Sequence, residues 1–317
     1  MGPLATLKEN LVHPRTSRFG LRAVVGAGVA ALALLLVGGP AAQAAPVATH
    51  TVQAPALGAP AALSADVKGK TFTIATDTTF APFEFRDTSS GDLIGIDMDL
   101  LQAIAKEQGF TVNVQSLGFQ AALSAVTSGQ ADGVIAGMSI TDERKQIFDF
   151  SEPYFDSGIQ MAVAANDDTT KSYADLSGKT VVAKSGSEGL AEAQKLSKQY
   201  GFTVKALDQS ATMIESVKNH TAVAVFDDYP VLAYGIAQGN GLKVVTEKIA
   251  GGQYGFAVAK GKNGELLASF NDGLAKLKAN GEYQKILDRY LAAPQQSTAK
   301  GNIFQLAADS WPALSKG

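Results

Sequence analysis

From residue 71 onward the chain alternates between two hydrophobic periods. Thr71 to Thr76 alternates apolar and polar positions and is rich in β-branched residues, which predicts a strand. Ile96, Leu100, Leu101, Ile104 and Ala105 then recur at helical spacing, and Gly109 marks the stop. Thr111 to Gln115 predicts the next strand, Ala121 to Thr127 a short helix ended by Gly129, and Gly133 to Ala136 a buried strand. The alternation continues with strands over Val181–Ala183, Thr203–Leu207, Ala222–Phe226 and Leu242–Val245, and helices over Leu190–Gln199, Met213–Lys218 and Val231–Gln238. A late strand over Gln253–Val258 precedes two helices, Leu266–Ala279 and Tyr283–Tyr290, with Gly281 between them. Strands and helices alternating at this length predict an α/β fold with largely parallel sheets, and no internal repeat is evident.

The first 70 residues follow neither period. Arg15, Arg18 and Arg22 precede an apolar run from Ala23 to Gly39, and Ala42-Gln43-Ala44 has the small-x-small form of a signal-peptidase site. Residues 1–44 are therefore expected to be a signal peptide, cleaved after Ala44, with an uncleaved anchor as the rival reading. Either reading carries the rest of the chain out of the cytoplasm, to a periplasmic or other extracytoplasmic location. Residues 45–70 are rich in Ala and Pro, with few charges and no period, and read as a flexible linker.

Composition narrows the chemistry. The 317 residues, 46% hydrophobic, suffice for two domains. A net charge of −3, with no basic stripe, argues against a nucleic-acid partner. The chain has no cysteine, which removes disulfides, thiolate metal sites, cysteine nucleophiles and a lipid anchor on an N-terminal cysteine. Its three histidines, His13, His50 and His220, are too few and too scattered for a histidine-based triad or metal site. No cofactor or metal is expected.

In α/β folds, ligands bind beyond the carboxyl ends of strands, so the residues that follow each strand carry the chemistry. These are Asp77 to Phe85, Gly137 to Arg144, Lys184 to Gly189, and Asp227 to Pro230. They offer carboxylates, an arginine with hydroxyls, and a lysine beside a Gly/Ser turn. Such a set complements a zwitterion. A guanidinium binds an α-carboxylate bidentately, and helix-start N–H groups can share that carboxylate. Asp228, the Gly137 carbonyl and the Ser139 hydroxyl suit an α-ammonium. Phe83 and Phe85 read as core. Glu84 reads as a surface or loop-capping carboxylate, Asp142 as the cap of a short helix, and His220 as exposed.

Ala75-Thr76-Asp77 with Phe80 to Phe85, Gly95 to Leu100, Ala136 to Lys145 and Asp149 to Tyr154 together resemble the signatures of the solute-binding protein family 3, the polar amino-acid receptors of ABC importers. The resemblance runs from about Thr71 to Leu291, and among family members the glutamine-binding branch is the most similar. It implies a two-lobed type II periplasmic-binding-protein fold with two crossing hinge strands. Residues 71–154 and 254–292 would form lobe one and residues 158–249 lobe two, with the crossings near Tyr154–Gly158 and Ala250–Tyr254. Residues 293–317 would be a tail. The resemblance further implies a monomer that is not an enzyme and that delivers a polar L-amino acid to membrane permease subunits.

By the same resemblance, Arg144 clamps the α-carboxylate. Ser139 and Gly137 bind the ammonium from lobe one, and Asp228 completes that site from lobe two. Phe80 and Phe119 wall the aliphatic stem, and Ser187 with the N–H groups near Glu188 meets the carboxylate. Asp77 and Lys184 decide the side chain. A glutamine amide suits both, because its carbonyl accepts from Lys184 and its NH₂ donates to Asp77. Asp227 stands where the glutamine binders carry a histidine, which leaves a basic or other polar ligand open and makes Asp227 a possible specificity residue. Two further readings remain: a dehydratase or lytic enzyme on the same fold, and a sensory or permease-fused receptor domain. The segment from Gly301 to Gly317 resembles the start of a permease membrane domain and favours the latter.

Overall fold

The computed structural model describes residues 67–291. The expected signal peptide, almost all of the linker and the C-terminal tail lie outside the described residues.

Strand β1 (Thr71–Thr76) opens the first sheet. A small ribbon follows, β2 (Thr79–Phe80), β3 (Glu84–Arg86) and β4 (Leu93–Ile94), paired antiparallel. Next come helix α1 (Ile96–Gln108), strand β5 (Thr111–Ser116), helix α2 (Phe119–Thr127), strand β6 (Gly133–Val134), the single turn α3 (Asp142–Lys145) and strand β7 (Phe148–Phe150). The chain then crosses to a second sheet along β8 (Phe155–Ala164). That half continues with β9 (Thr180–Lys184), α4 (Glu188–Tyr200), β10 (Thr203–Leu207), α5 (Ser210–Lys218), β11 (Ala224–Asp228), α6 (Tyr229–Ala237) and β12 (Leu242–Val244). Strand β13 (Ile249–Tyr254) runs back, β14 (Ala257–Ala259) rejoins the first sheet, and α7 (Gly264–Ala279) and α8 (Glu282–Leu291) close the described chain.

The two sheets have the orders β5-β1-β6-β14-β7 and β10-β9-β11-β8-β12, with β13 also paired to β8. In each, a parallel trio (β5-β1-β6 and β10-β9-β11) carries the α/β pattern. The remaining strands are antiparallel, so the expectation of largely parallel sheets holds only for the trios. The physical reason is the crossing itself. A chain that leaves one sheet for another and returns must bring its crossing strands, β8 and β13, back beside each other in opposite directions. The single late strand expected over Gln253–Val258 is accordingly two. Tyr254 ends the crossing strand, and Ala257 begins a strand of the other sheet.

Local sequence explains the elements that hold the cavity. Helix α1 buries Ile96, Leu100, Leu101 and Ile104 on one face against α7, and Gly109 ends it in the left-handed conformation. Each such side chain, fully buried, stabilises the fold by about 1.5–3 kcal/mol relative to exposure. The second half has its own cores around Met161, Val181, Phe226 and Val225. Phe83 is fully buried, as expected of a core residue, whereas Phe85, also expected in the core, is only half-buried; His220 is exposed. Thr141, not Asp142, caps α3 by accepting from the Arg144 N–H at 3.2 Å. Glu84, expected at the surface, is fully buried.

Candidate functional site

Because the strands within each trio are parallel, their carboxyl ends lie on one side. Asp77 follows the end of β1, Ala136 to Ser139 follow β6, Lys184 ends β9 and Asp228 ends β11. These ends converge on a cavity of about 280 Å³ that includes its opening to solvent. Asp77, Phe80, Phe119, Gly137, Ser139 and Arg144 line it from the first sheet's side, and Lys184, Ser187, Glu188 and Asp228 from the second's. These are the ten residues singled out from the sequence. Ala136, which was not, also lines the cavity.

Asp227 does not. Strand β11 runs two residues beyond Phe226, so neighbouring side chains there point to opposite faces. The Asp227 carboxylate is buried, accepts from the backbone N–H of Asp228 at 2.9 Å, and feels the charges of Lys184 and Asp77.

Lys184 and Asp77 form a buried ion pair that joins the two sheets' sides of the cavity. The ammonium also donates to Thr79 Oγ1 at 2.8 Å and Ser210 Oγ at 3.4 Å, and lies 5.5 Å from the centre of the Phe80 ring. Asp77 accepts from the Thr78 N–H at 2.6 Å. Two opposite charges that touch in a dry site are mutually supporting. Removing one strands the other.

The guanidinium of Arg144 spans the cavity mouth. One nitrogen donates to the Ser139 carbonyl at 2.8 Å and another to the Gly186 carbonyl, on the far side, at 3.0 Å. Its carbon lies 5.3 Å from the Phe119 ring centre. Burial pulls its pKa down, while the charges of Glu188 and Asp228 act to raise it. Ser187 caps α4 by accepting from the Leu190 N–H at 3.1 Å, which places the start of that helix at the cavity.

Asp228 is tied to both crossing strands. It accepts from Ser157 Oγ of β8 at 2.8 Å and from the Tyr254 hydroxyl of β13 at 2.6 Å. Burial, and then the adjoining Asp227, push the Asp228 carboxyl up to about 7, against the pull of those two hydrogen bonds. Asp227 is pushed up to about 6, mainly by burial. Sequence reasoning missed Ser157 and Tyr254. Their only signal was their place on the two expected crossings.

On the opposite wall, Gly137 has φ of 50°, and a Cβ there would sit 2.4 Å from the Phe80 ring. Only glycine permits both the left-handed backbone and that approach. Its N–H donates to Asp97 at 2.8 Å.

The cavity therefore presents a guanidinium and helix-start N–H groups on one flank and a carboxylate with a hydroxyl on the other. An ammonium–carboxylate pair stands deeper, beside two aromatic rings. This arrangement can hold a small zwitterion and read its side chain. Among the described residues, no group of three or more His, Asp or Glu side chains is placed to hold a metal ion.

Comparison with known proteins bears on this geometry. The sequence profile of the bacterial extracellular solute-binding proteins, family 3, matches residues 72–293. The arginine-binding periplasmic protein of Mannheimia haemolytica is 34% identical over 222 residues, which cover 69% of this chain and 90% of that protein. Among solved structures, the second substrate-binding domain of GlnP from Lactococcus lactis, in its open conformation, is 49% identical, with a TM-score of 0.52 over 71% of this chain and 96% of that one. An ancestral arginine-binding protein bound to arginine is 40% identical, with a TM-score of 0.66 over 71% of this chain and 99% of that one. An ancestral arginine-binding protein bound to glutamine is likewise 40% identical, with a TM-score of 0.65 over 69% of this chain and 97% of that one. The backbone thus lies nearer a ligand-bound relative than a more identical open one. The ion pair and the Arg144 bond that join the two walls fit that placement.

Proposed function

Since the chain belongs to the bacterial extracellular solute-binding proteins, family 3, and its relatives are amino-acid-binding receptors, we propose that the cavity captures a polar L-amino acid, glutamine in preference, and delivers it to an ABC importer's permease outside the cytoplasm. Residues 71–154 with 254–292, and 158–249, act as two lobes. Arg144, with the start of α4, takes the α-carboxylate, and Asp228, Ser139 and Gly137 take the ammonium. Phe80 and Phe119 flank the stem. The lobes close about β8 and β13, a ligand-stabilised hinge motion rather than a covalent step.

The observation that carries glutamine is the Lys184 ammonium set against Asp77 in the cavity wall. A side-chain amide set against the pair can accept from one and donate to the other. A guanidinium meets like charge at Lys184, and a carboxylate meets it at Asp77. Like charges forced together cost several kcal/mol.

Arginine is the second reading. The arginine-binding relatives favour it, among them an ancestral arginine-binding protein bound to arginine. A receptor fused to a permease, the reading drawn from the resemblance of Gly301 to Gly317, would be tested by sequence downstream of the gene. Calorimetric titration of the ligand-stripped protein with the common L-amino acids tests the function. Binding at about 1 μM or tighter, about −8 kcal/mol, is expected for glutamine. Binding of no amino acid would reject the receptor reading.

A further inference from the structure

Outside the cavity lining, two acidic side chains are buried against each other. Glu84 lies in β3 and Asp97 is the second residue of α1, and neither is exposed to solvent. The backbone clamps them together. The N–H groups of Ile96 and Asp97 donate to the carbonyls of Pro82 and Phe83, each at 2.9 Å. Gly95, with φ of 133°, makes this possible, because a Cβ there would lie 2.1 Å from the Phe83 oxygen.

The donors around them are unequally shared. One oxygen of Asp97 accepts from the Gly137 N–H and from the Tyr154 hydroxyl, both at 2.8 Å. The other Asp97 oxygen and both oxygens of Glu84 are buried and receive no N–H or O–H from the remaining described residues. Ionised carboxylates only accept hydrogen bonds, so two that face each other satisfy one another only when one keeps its proton and donates it. Asp97 already holds two donors, which makes it the anion and Glu84 the acid.

We propose that Asp97 is a positioning residue of the amino-acid site, and that Glu84 is the neutral acid that holds it there by donating a hydrogen bond to its free oxygen. The inference rests on the proposed function and deepens it. Gly137 lines the cavity in a conformation that its own sequence neighbours do not impose, and Asp97 pins it. Tyr154, on the same Asp97 oxygen, immediately precedes β8, so one anion ties the ligand-facing turn to the strand that crosses between the sheets.

The charges support the assignment. Glu84 faces Asp97 of α1, Asp77 after β1 and Lys184 of β9. Burial, then the two aspartates, hold its carboxyl well above the usual range, against the pull of Lys184. Asp97 faces Glu84, Tyr154 and the Gly137 N–H. It is pushed up to about 6 by burial while those three hydrogen bonds act to lower it. A carboxyl with a raised folded-state pKa supports the arrangement at low pH and ceases to as pH rises through that value.

The experiment compares the full chain with its Glu84→Gln, Asp97→Ala and Asp97→Asn variants, using three readouts. The first is the infrared carbonyl band of a protonated carboxylic acid at pH 8, above the values of about 6 for Asp227 and about 7 for Asp228. The second is hydrogen exchange at the Gly137 N–H, and the third is affinity for whichever L-amino acid the wild type binds. The wild type is expected to show the band and Glu84→Gln to lack it while binding within about threefold, since an amide is a neutral donor of the same shape. Asp97→Ala is expected to speed Gly137 exchange and weaken binding by about tenfold or more, the scale of a lost charge-assisted hydrogen bond. Asp97→Asn keeps an acceptor for Gly137, so it should restore most of that affinity, and it should lose the band because Glu84 can then ionise against the new amide. Absence of the band in the wild type, its persistence in Glu84→Gln, or unchanged Gly137 exchange in Asp97→Ala would overturn the proposal. If the wild type binds no amino acid, the receptor reading falls, and the band and the exchange still decide this one.

Discussion

Two carboxyl pairs in this molecule are built from nearly the same parts and are put to different use. Asp227 and Asp228 end β11, and Asp228 accepts from a buried tyrosine hydroxyl of one crossing strand, Tyr254. Glu84 and Asp97 lie beside the first sheet, and Asp97 accepts from the tyrosine next to the other crossing strand, Tyr154. Burial raises the pKa values of all four. What differs is access. Asp228 opens on the cavity and can exchange its proton for a ligand's ammonium, whereas Glu84 does not line the cavity and is buried against Asp97. The same chemistry thus serves recognition where a ligand can reach it and architecture where none can.

The strongest way to break this comparison is to remove the recognising carboxylate. Asp228→Ala should weaken amino-acid binding by about 2–5 kcal/mol, because the ligand's ammonium is left buried and unpaired. Calorimetry on Asp228→Ala would read this, and a loss below about tenfold would move the ammonium site elsewhere.

Next in size is a pH effect of opposite sign on the free and the bound protein. Ligand binding needs Asp228 ionised, and its pKa in the empty site is about 7. Affinity should therefore be flat above pH 7 and fall by up to about tenfold per unit below it. The empty protein should behave in reverse. The raised pKa of Asp228 favours the fold most below the ordinary value of 3.8, and that contribution is lost as pH rises through about 7. Melting curves at pH 5 and pH 8, with and without ligand, would show the crossover. Parallel trends in the two states would remove Asp228 from recognition.

A smaller effect is expected for Lys184→Met. Stranding one member of a buried pair costs about 3–5 kcal/mol when the site stays closed. Opening at β8 and β13 would rehydrate Asp77, so the variant should melt close to the wild type but have a larger radius of gyration in the empty state. A full loss of 3–5 kcal/mol in stability with no expansion would mean that the two sides do not separate. The smallest effect belongs to Asp227→Asn. Asp227 does not line the cavity but raises the Asp228 carboxyl, so the substitution should shift the pH midpoint of binding downward while changing affinity at pH 8 by less than about threefold.

Much of this frame was legible in the sequence, and the gaps have physical causes. β1, α1 and β10 were readable because their periods run for five residues or more and a glycine or a turn ends them. The cavity residues were readable because strand ends in α/β folds face ligands. The ribbon β2–β4 was not, since its strands of two or three residues are too short to show a period. β8 was not, because its small and polar start, Asp156, Ser157 and Gly158, hides a ten-residue strand. Glu84 was misplaced at the surface because a carboxylate's usual position is solvent, and the partner that keeps it buried, Asp97, is thirteen positions away and joined only through the fold. Asp227 was drawn towards the cavity because its strand was expected to end at Phe226.

The central claim is that Lys184 and Asp77 read the side chain of a bound zwitterion. Side-by-side calorimetry of glutamine and arginine against the ligand-stripped wild type and Lys184→Met tests it most directly. The account expects the wild type to prefer glutamine by about a hundredfold, near 2.7 kcal/mol, and the variant to lose most of that preference by binding arginine better. A wild type that prefers arginine, or a preference for glutamine that survives the loss of Lys184, would contradict it.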